Sequence, residues 1–353
     1  MQFGLFYEWP NPDLRNWKTL YGEGVEEIQY SEEMGVDYCL IAEHHFSNYG
    51  NSPAPLLQAL HIGQQTNRLK IATGILVLPI WQPLRLAEEV AVLDNLIDGR
   101  FICGVGRGYQ PHEFSRFGVT GPESRQRFSE SLEVMIKAWT QDESFTYDGE
   151  YIKIPNEVTV WPKPQQKPHP PLWLAGTSVD SMQLAAKWDM MPLTTGLLGG
   201  DGMRAHLASL IHARMDLGKS IHGIDLGMQA ITHVAETDEI ARQEAEQPLL
   251  TSRALGREDI ANTRIGFKGN SESPTNTELG RVFQGMTTSY DFWIDNGLAL
   301  VGSPETVIKQ LWKQSELCGY DIFCANHRIG TLPLEQSLKS MKLFGEEVIP
   351  AFR

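Results

Sequence analysis

A parallel (β/α)8 barrel with insertions is the fold class this sequence predicts, and three observations predict it. Eight short apolar runs alternate with longer amphipathic stretches along the 353 residues. One run, Tyr38–Ala42, is continuously apolar, as expected for a strand covered on both faces. The motifs able to carry chemistry follow directly after the runs, at the strand ends where a barrel gathers its active-site residues. Periodicity alone leaves a doubly wound open sheet as the structural alternative.

The predicted elements follow in order. Phe3–Phe6 is the first strand and Asn16–Met34 a helix closed by Gly35. Tyr38–Ala42 is the second strand, Pro55–Thr66 a helix, and Leu69–Leu78 the third strand. Leu84–Leu96 is a helix ended by Asp98-Gly99, and Phe101–Val105 the fourth strand. Ser124–Trp139 is a helix, and the runs around Asp148-Gly149 form a hairpin. The proline-rich segment from Pro162 to Pro171 is a stiff connector. Leu172–Ala175, Asp189–Met191, Gly227–Val234 and Asp321–Ala325 complete the eight strands, with helix Thr306–Cys318 before the last. Residues 255–296, rich in Gly, Ser, Thr and Asn, break the cycle and are expected to be a long loop over the active-site face. The chain is expected to be one domain, residues 1–353.

Composition restricts function. Hydrophobic residues make up 41% and charged residues 21%, enough for a sizeable core. A net charge of -14 argues against a nucleic-acid binder, which needs a basic surface. The four cysteines show no metal-type spacing, so no metal is expected. The first ten residues lack a basic segment followed by an apolar one, and no apolar run approaches the roughly 20 residues that span a bilayer. A cytoplasmic, membrane-free protein is the expectation.

Five constellations stand at strand ends. Glu43-His44-His45-Phe46 follows the second strand. Neighbours on an extended chain point opposite ways, so the two histidines should do different jobs, though a core and a loop histidine explain the tripeptide equally well. Gly104-Val105-Gly106-Arg107-Gly108 follows the fourth strand. Tyr109 occupies the place of the third glycine of a dinucleotide fingerprint, so that reading fails. Glycines for close approach and Arg107 as a phosphate fork fit better; a tight turn with a solvated arginine is the plain alternative. Arg125, near a helix start, suits an anion. Gly176-Thr177-Ser178 after the fifth strand makes either a phosphate cradle or an ordinary helix cap. Gly74-Ile75, inside the third strand, marks a bulge, a close ligand approach or simple packing.

Read together, MQFGLF, GVDYCLIAEHHFSNYG, ILVLPIWQPLRLAEEVAVLDNLIDGRFICGVGRG and the C-terminal VGSPETVIKQL and SMKLFGEEVIPAFR resemble the bacterial luciferase-like, flavin-dependent monooxygenases over essentially the whole chain. The resemblance implies an enzyme that uses reduced FMN and O2, through a C4a-(hydro)peroxyflavin, to oxygenate a small organic substrate. It implies His44 as the active-site histidine, Arg107 and Arg125 on the flavin phosphate, Gly176, Thr177 and Ser178 completing that site, and Gly74-Ile75 as a non-prolyl cis peptide against the ring. A homodimer is also implied. With the barrel taking up the chain, no NAD(P)H domain is left, so a separate flavin reductase is expected to supply the flavin. Gly106 stands where luminescent members often have cysteine, and Gly176 where luciferase has an acidic residue. Light emission and aldehyde specificity are therefore not carried over. The alternatives are an F420-dependent oxidoreductase on the same barrel and a flavin-binding protein without turnover. Trp9, Trp81, Tyr109, Trp173, Phe283 and Trp293 line either a substrate pocket or the core.

Overall fold

The structure, a computed structural model, describes residues 1–176, 178–195, 199–264 and 289–353. Its first half runs β1 (Gln2–Tyr7), α1 (Trp17–Glu33), β2 (Tyr38–Ile41), α2 (Pro55–Gln65), β3 (Lys70–Thr73), β4 (Leu76–Val77), α3 (Pro83–Leu96), β5 (Phe101–Gly106), α4 (Pro111–Arg116), α5 (Gly121–Thr140) and the antiparallel pair β6 (Phe145–Asp148) and β7 (Lys153–Val158). Next come β8 (Leu172–Ala175), α6 (Val179–Trp188), β9 (Met191–Thr195), α7 (Gly199–Asp216), β10 (Gly227–Val234) and α8 (Asp238–Arg264). The chain closes with α9 (Tyr290–Asp295), β11 (Ala299–Gly302), α10 (Pro304–Cys318), β12 (Ile322–Asn326) and α11 (Leu334–Leu343).

Eight parallel strands close a ring in the order β1-β2-β3-β5-β8-β9-β10-β12, with β12 returning to β1. All eight correspond to runs read from the sequence, and the open-sheet alternative is thereby excluded. Alternation along the strands sorts side chains into two layers. Tyr38, Leu40, Ala72, Ile102, Trp173, Leu193, Ile322 and Cys324 fill the barrel interior. Phe3, Leu5, Cys39, Ile41, Ile71, Phe101 and Phe323 face outward, into the layer shared with the helices. Gly4 keeps the interior narrow, because a Cβ there would lie 2.7 Å from Cys324 Sγ.

Local chemistry sets the helix limits. The Asn16 side chain accepts from the Lys18 and Thr19 backbone N–H groups and starts α1, and Gly35, at φ +88°, follows its end. Ser303 accepts from Thr306 N at 3.4 Å to start α10, and Gly319, in the left-handed region, ends it.

Four expectations are corrected. The third strand is not continuous from Leu69 to Leu78: it breaks after Thr73, passes through a cis Gly74–Ile75 peptide, and resumes as β4 paired to β5. The sixth strand does not start at Asp189. That residue ends α6 in the left-handed conformation, its carboxylate bound to Arg214 and Lys219, and β9 begins at Met191. The expected long loop over 255–296 is helical at both margins, as the end of α8 and as α9; residues 265–288 lie outside the described residues. Finally, Ala299–Gly302 forms an additional strand, β11, along the second half of β10, whose first half pairs with β9. A four-residue run beside a polar segment gave too little periodicity to mark it.

Candidate active site

The C-terminal ends of the ring strands hold two chemically distinct groups of residues. The first surrounds His44. Glu113, on the first turn of α4, accepts from His45 N at 2.9 Å and lies 3.3 Å from His44 Nδ1. A carboxylate at Nδ1 favours the tautomer that keeps Nδ1 protonated and leaves Nε2 as the basic nitrogen. The ring lies edge-on to Tyr49 at 5.5 Å and to Tyr109 at 6.3 Å. Burial pushes the imidazole pKa down, but the hydrogen bond and charge of Glu113, with Glu8 and Glu43 behind it, lift it above the usual imidazole value.

His45 turns the other way, as the extended backbone requires. Its Nε2 is 2.9 Å from Glu43 Oε1, and its ring meets Phe117 edge-on at 4.8 Å. Glu43 also accepts from Val77 N at 2.6 Å and from Trp81 Nε1 at 2.9 Å. Its buried carboxylate thus ties the second strand end to β4 and the turn beyond it. The two histidines have different partners and different neighbours.

The second group is cationic. Arg107, directly after β5, donates from Nη1 to Ser124 Oγ at 3.4 Å. Among the described residues it pairs with no carboxylate. Partial burial, and then the like charge of Arg125, hold its guanidinium below the usual range. Arg125 is ion-paired to Asp180 in the first turn of α6. Ser178 caps that ten-residue helix, its Oγ accepting from Ser181 N at 3.2 Å. Gly176 sits against this turn, where a Cβ would come within 2.5 Å of the Ser181 side chain. Thr177 lies outside the described residues. Two guanidinium groups against one carboxylate, beside a helix N-terminus, make a donor set that fits a phosphate dianion. The cap reading of Ser178 holds. Ser178→Ala should lower stability by about 1 kcal/mol, read by thermal denaturation.

Between the two groups in ring order stands the cis Gly74–Ile75 peptide of the β3–β4 break. A Cβ at Gly106 would lie 2.2 Å from Ile75 Cδ1, so Gly106 lets this turn pack onto the end of β5. Of the aromatic residues, Trp9, Trp173 and Trp293 are buried in core clusters and Trp81 is held by Glu43, while Tyr109 is exposed beside His44. Phe283 lies outside the described residues. Among the described residues no group of three His, Cys, Asp or Glu is arranged to hold a metal ion, and no helix is long and apolar enough to cross a membrane.

Sequence reading missed Glu8, Glu113 and Asn326. Glu8 directly follows β1 and Asn326 ends β12, so the strand-end rule that found Arg107 reaches both. Glu113 is 69 residues from His44 on a six-residue helix that periodicity does not reveal.

The C-terminal face of this eight-stranded α/β barrel carries two arginines beside a helix N-terminus and a buried histidine–carboxylate pair, donors of a kind that can meet a phosphate-bearing cofactor. Residues 1–319 match the luciferase-like monooxygenase family, and the chain belongs to that family. The oxygenase component of a flavin-dependent trigonelline monooxygenase from Acinetobacter baylyi is 26% identical over 100% of this chain and 96% of its own. Among solved structures, the monooxygenase RslO1 from Streptomyces bottropensis superposes with a TM-score of 0.87 at 24% identity over 100% of both chains. The oxygenating constituent of 3,6-diketocamphane monooxygenase from Pseudomonas putida, a Baeyer-Villiger enzyme in complex with FMN, gives 0.78 at 22% identity, covering 99% of this chain and 98% of its own.

Proposed function

We propose that this protein is the oxygenase of a two-component system, taking reduced FMN from a separate flavin reductase and using O2 to oxygenate a small organic substrate. The observation that carries this reading is the cradle of Arg107, Ser124, Arg125 and the α6 N-terminus on one side of the barrel mouth, with His44 two ring strands away. Arg107 and Arg125 would hold the phosphate, with Ser178 and the first turn of α6 completing its contacts. Bound reduced FMN would supply the two electrons of the reaction, one oxygen atom passing to the substrate and the other leaving as water. His44, its Nδ1 engaged by Glu113, presents Nε2 to accept or return a proton. The trigonelline relative, named as an oxygenase component, supports the partner reductase.

The test loads the protein anaerobically with reduced FMN, adds 18O2, and follows label into a panel of substrates that begins with trigonelline. Label in a product supports the reading. Flavin that binds but reoxidises as fast as free flavin, with no labelled product, favours the non-catalytic alternative. Hydride transfer from reduced F420 without O2 uptake favours the deazaflavin one. His44→Ala should keep FMN affinity within about twofold and lower kcat by roughly 10²–10⁴-fold. An unchanged kcat removes His44 from the chemistry.

A further inference from the structure

The interior face of the barrel ends in a titratable layer that the proposed reaction has not yet used. Gly4 on β1, Leu40 on β2 and Cys324 on β12 meet inside the barrel. Two residues further along each strand, and on the same face by alternation, come Phe6, Ala42 and Asn326. Glu8 and His44 extend the series to the mouth. Three adjacent ring strands, β12, β1 and β2, therefore bring Asn326, Glu8 and His44 to one part of the mouth above an apolar floor, with Asn326 bonded to Glu8 and His44 to Glu113. Glu8 is 5% exposed and Asn326 3%.

The surroundings of Glu8 fit a carboxyl that changes protonation state. Asn326 Nδ2 donates to Glu8 Oε1 at 3.4 Å, and Tyr49 also hydrogen-bonds the carboxyl. The buried Asn326 Oδ1 has no partner among the described residues. An amide offers one donor face and one acceptor face, so Asn326 can serve the carboxylate through Nδ2 and, turned over, the carboxylic acid through Oδ1. Burial lifts the Glu8 pKa to about 7; the His44 charge and the hydrogen bonds from Asn326 and Tyr49 pull against it. His44 in turn faces Glu113 from α4, Glu43 from its own turn, and the rings of Tyr49 and Tyr109. Glu113 is tied down by two contacts and Glu43 by three, whereas Glu8 is held by neutral donors that suit either state.

We propose that Glu8 is a positioning residue whose charge is coupled to His44, so that the protonation state His44 presents to substrate depends on Glu8 and its Asn326–Tyr49 support. The proposal rests on the assignment of His44 to the reaction, but its test does not. In flavin-free protein with labelled histidines, the His44 resonance, assigned by its loss in His44→Ala, is titrated by NMR. The wild type should titrate in two coupled steps. Glu8→Gln, which keeps the shape and removes the charge, should leave one step, its midpoint lower by about one pH unit. Glu8→Asp should retain two steps, and it serves as the second variant where Glu8→Gln does not fold. An unchanged His44 titration in Glu8→Gln, or a single step in the wild type, overturns the proposal even where oxygenation is confirmed. In active enzyme, the pH profile of kcat/KM should shift in Glu8→Gln with FMN affinity unchanged; a loss of activity uniform across pH marks a structural role and overturns it too.

Discussion

Arg107→Glu should weaken FMN binding by at least about a hundredfold, the largest effect on cofactor affinity expected of any single change in this chain. Removing one member of a desolvated charge pair costs about 3 kcal/mol or more, and each 1.4 kcal/mol is a factor of ten. The substitution also places a second carboxylate beside Asp180, so the cradle becomes net acidic instead of net basic. Arg107→Lys is the informative control. It keeps the charge but loses the fork, and should weaken binding less while making it more sensitive to salt. Flavin fluorescence quenching at two ionic strengths reads both. Affinity unchanged in Arg107→Glu would mean that the phosphate binds elsewhere.

Gly104→Ala should be the most damaging small substitution in the barrel. A Cβ at Gly104 would stand 1.8 Å from the carbonyl oxygen of Thr73, on the neighbouring strand. That oxygen belongs to backbone, so nothing flexible can give way. Thr73 Oγ1 also donates to Gly104 O at 2.7 Å, fastening the two strands where β3 breaks. The overpacking should cost about 3 kcal/mol or more, enough to lower Tm by several degrees or to prevent folding. Gly22→Ala is the contrast. Gly22 lies on α1 with nothing within 4 Å of its would-be Cβ, and alanine there should stabilise by about 0.5–1 kcal/mol. Differential scanning calorimetry of both variants checks the pair. A Gly104→Ala protein as stable as the wild type would show that β3 and β5 can separate at no cost.

Gly22 and Gly24 show where sequence reading stops. They stand two residues apart on one helix, in the string Gly-Glu-Gly, and nothing local distinguishes them. A Cβ on Gly24 would reach within 2.1 Å of Trp9 Nε1, while one on Gly22 meets nothing. The difference lies in a side chain from another element, and that depends on how α1 lies against the end of β1.

The same division runs through the fold and the site. All eight ring strands, most helix limits, the strand ends bearing His44, Arg107 and Ser178, and the helix start bearing Arg125 were legible in the sequence. Burial alternates with the backbone period, and caps and turns depend on residues within a few positions. What the sequence alone did not determine was contact between distant segments. The tertiary structure decided that β12 closes onto β1, that Glu113 reaches His44 from 69 residues away, that Asp180 meets Arg125, and that Asn326 joins Glu8 across 318 residues. These depend on ring closure, which brings strand ends far apart in the chain to one mouth. Local periodicity records which face of a strand is covered, but not which residue of another strand covers it.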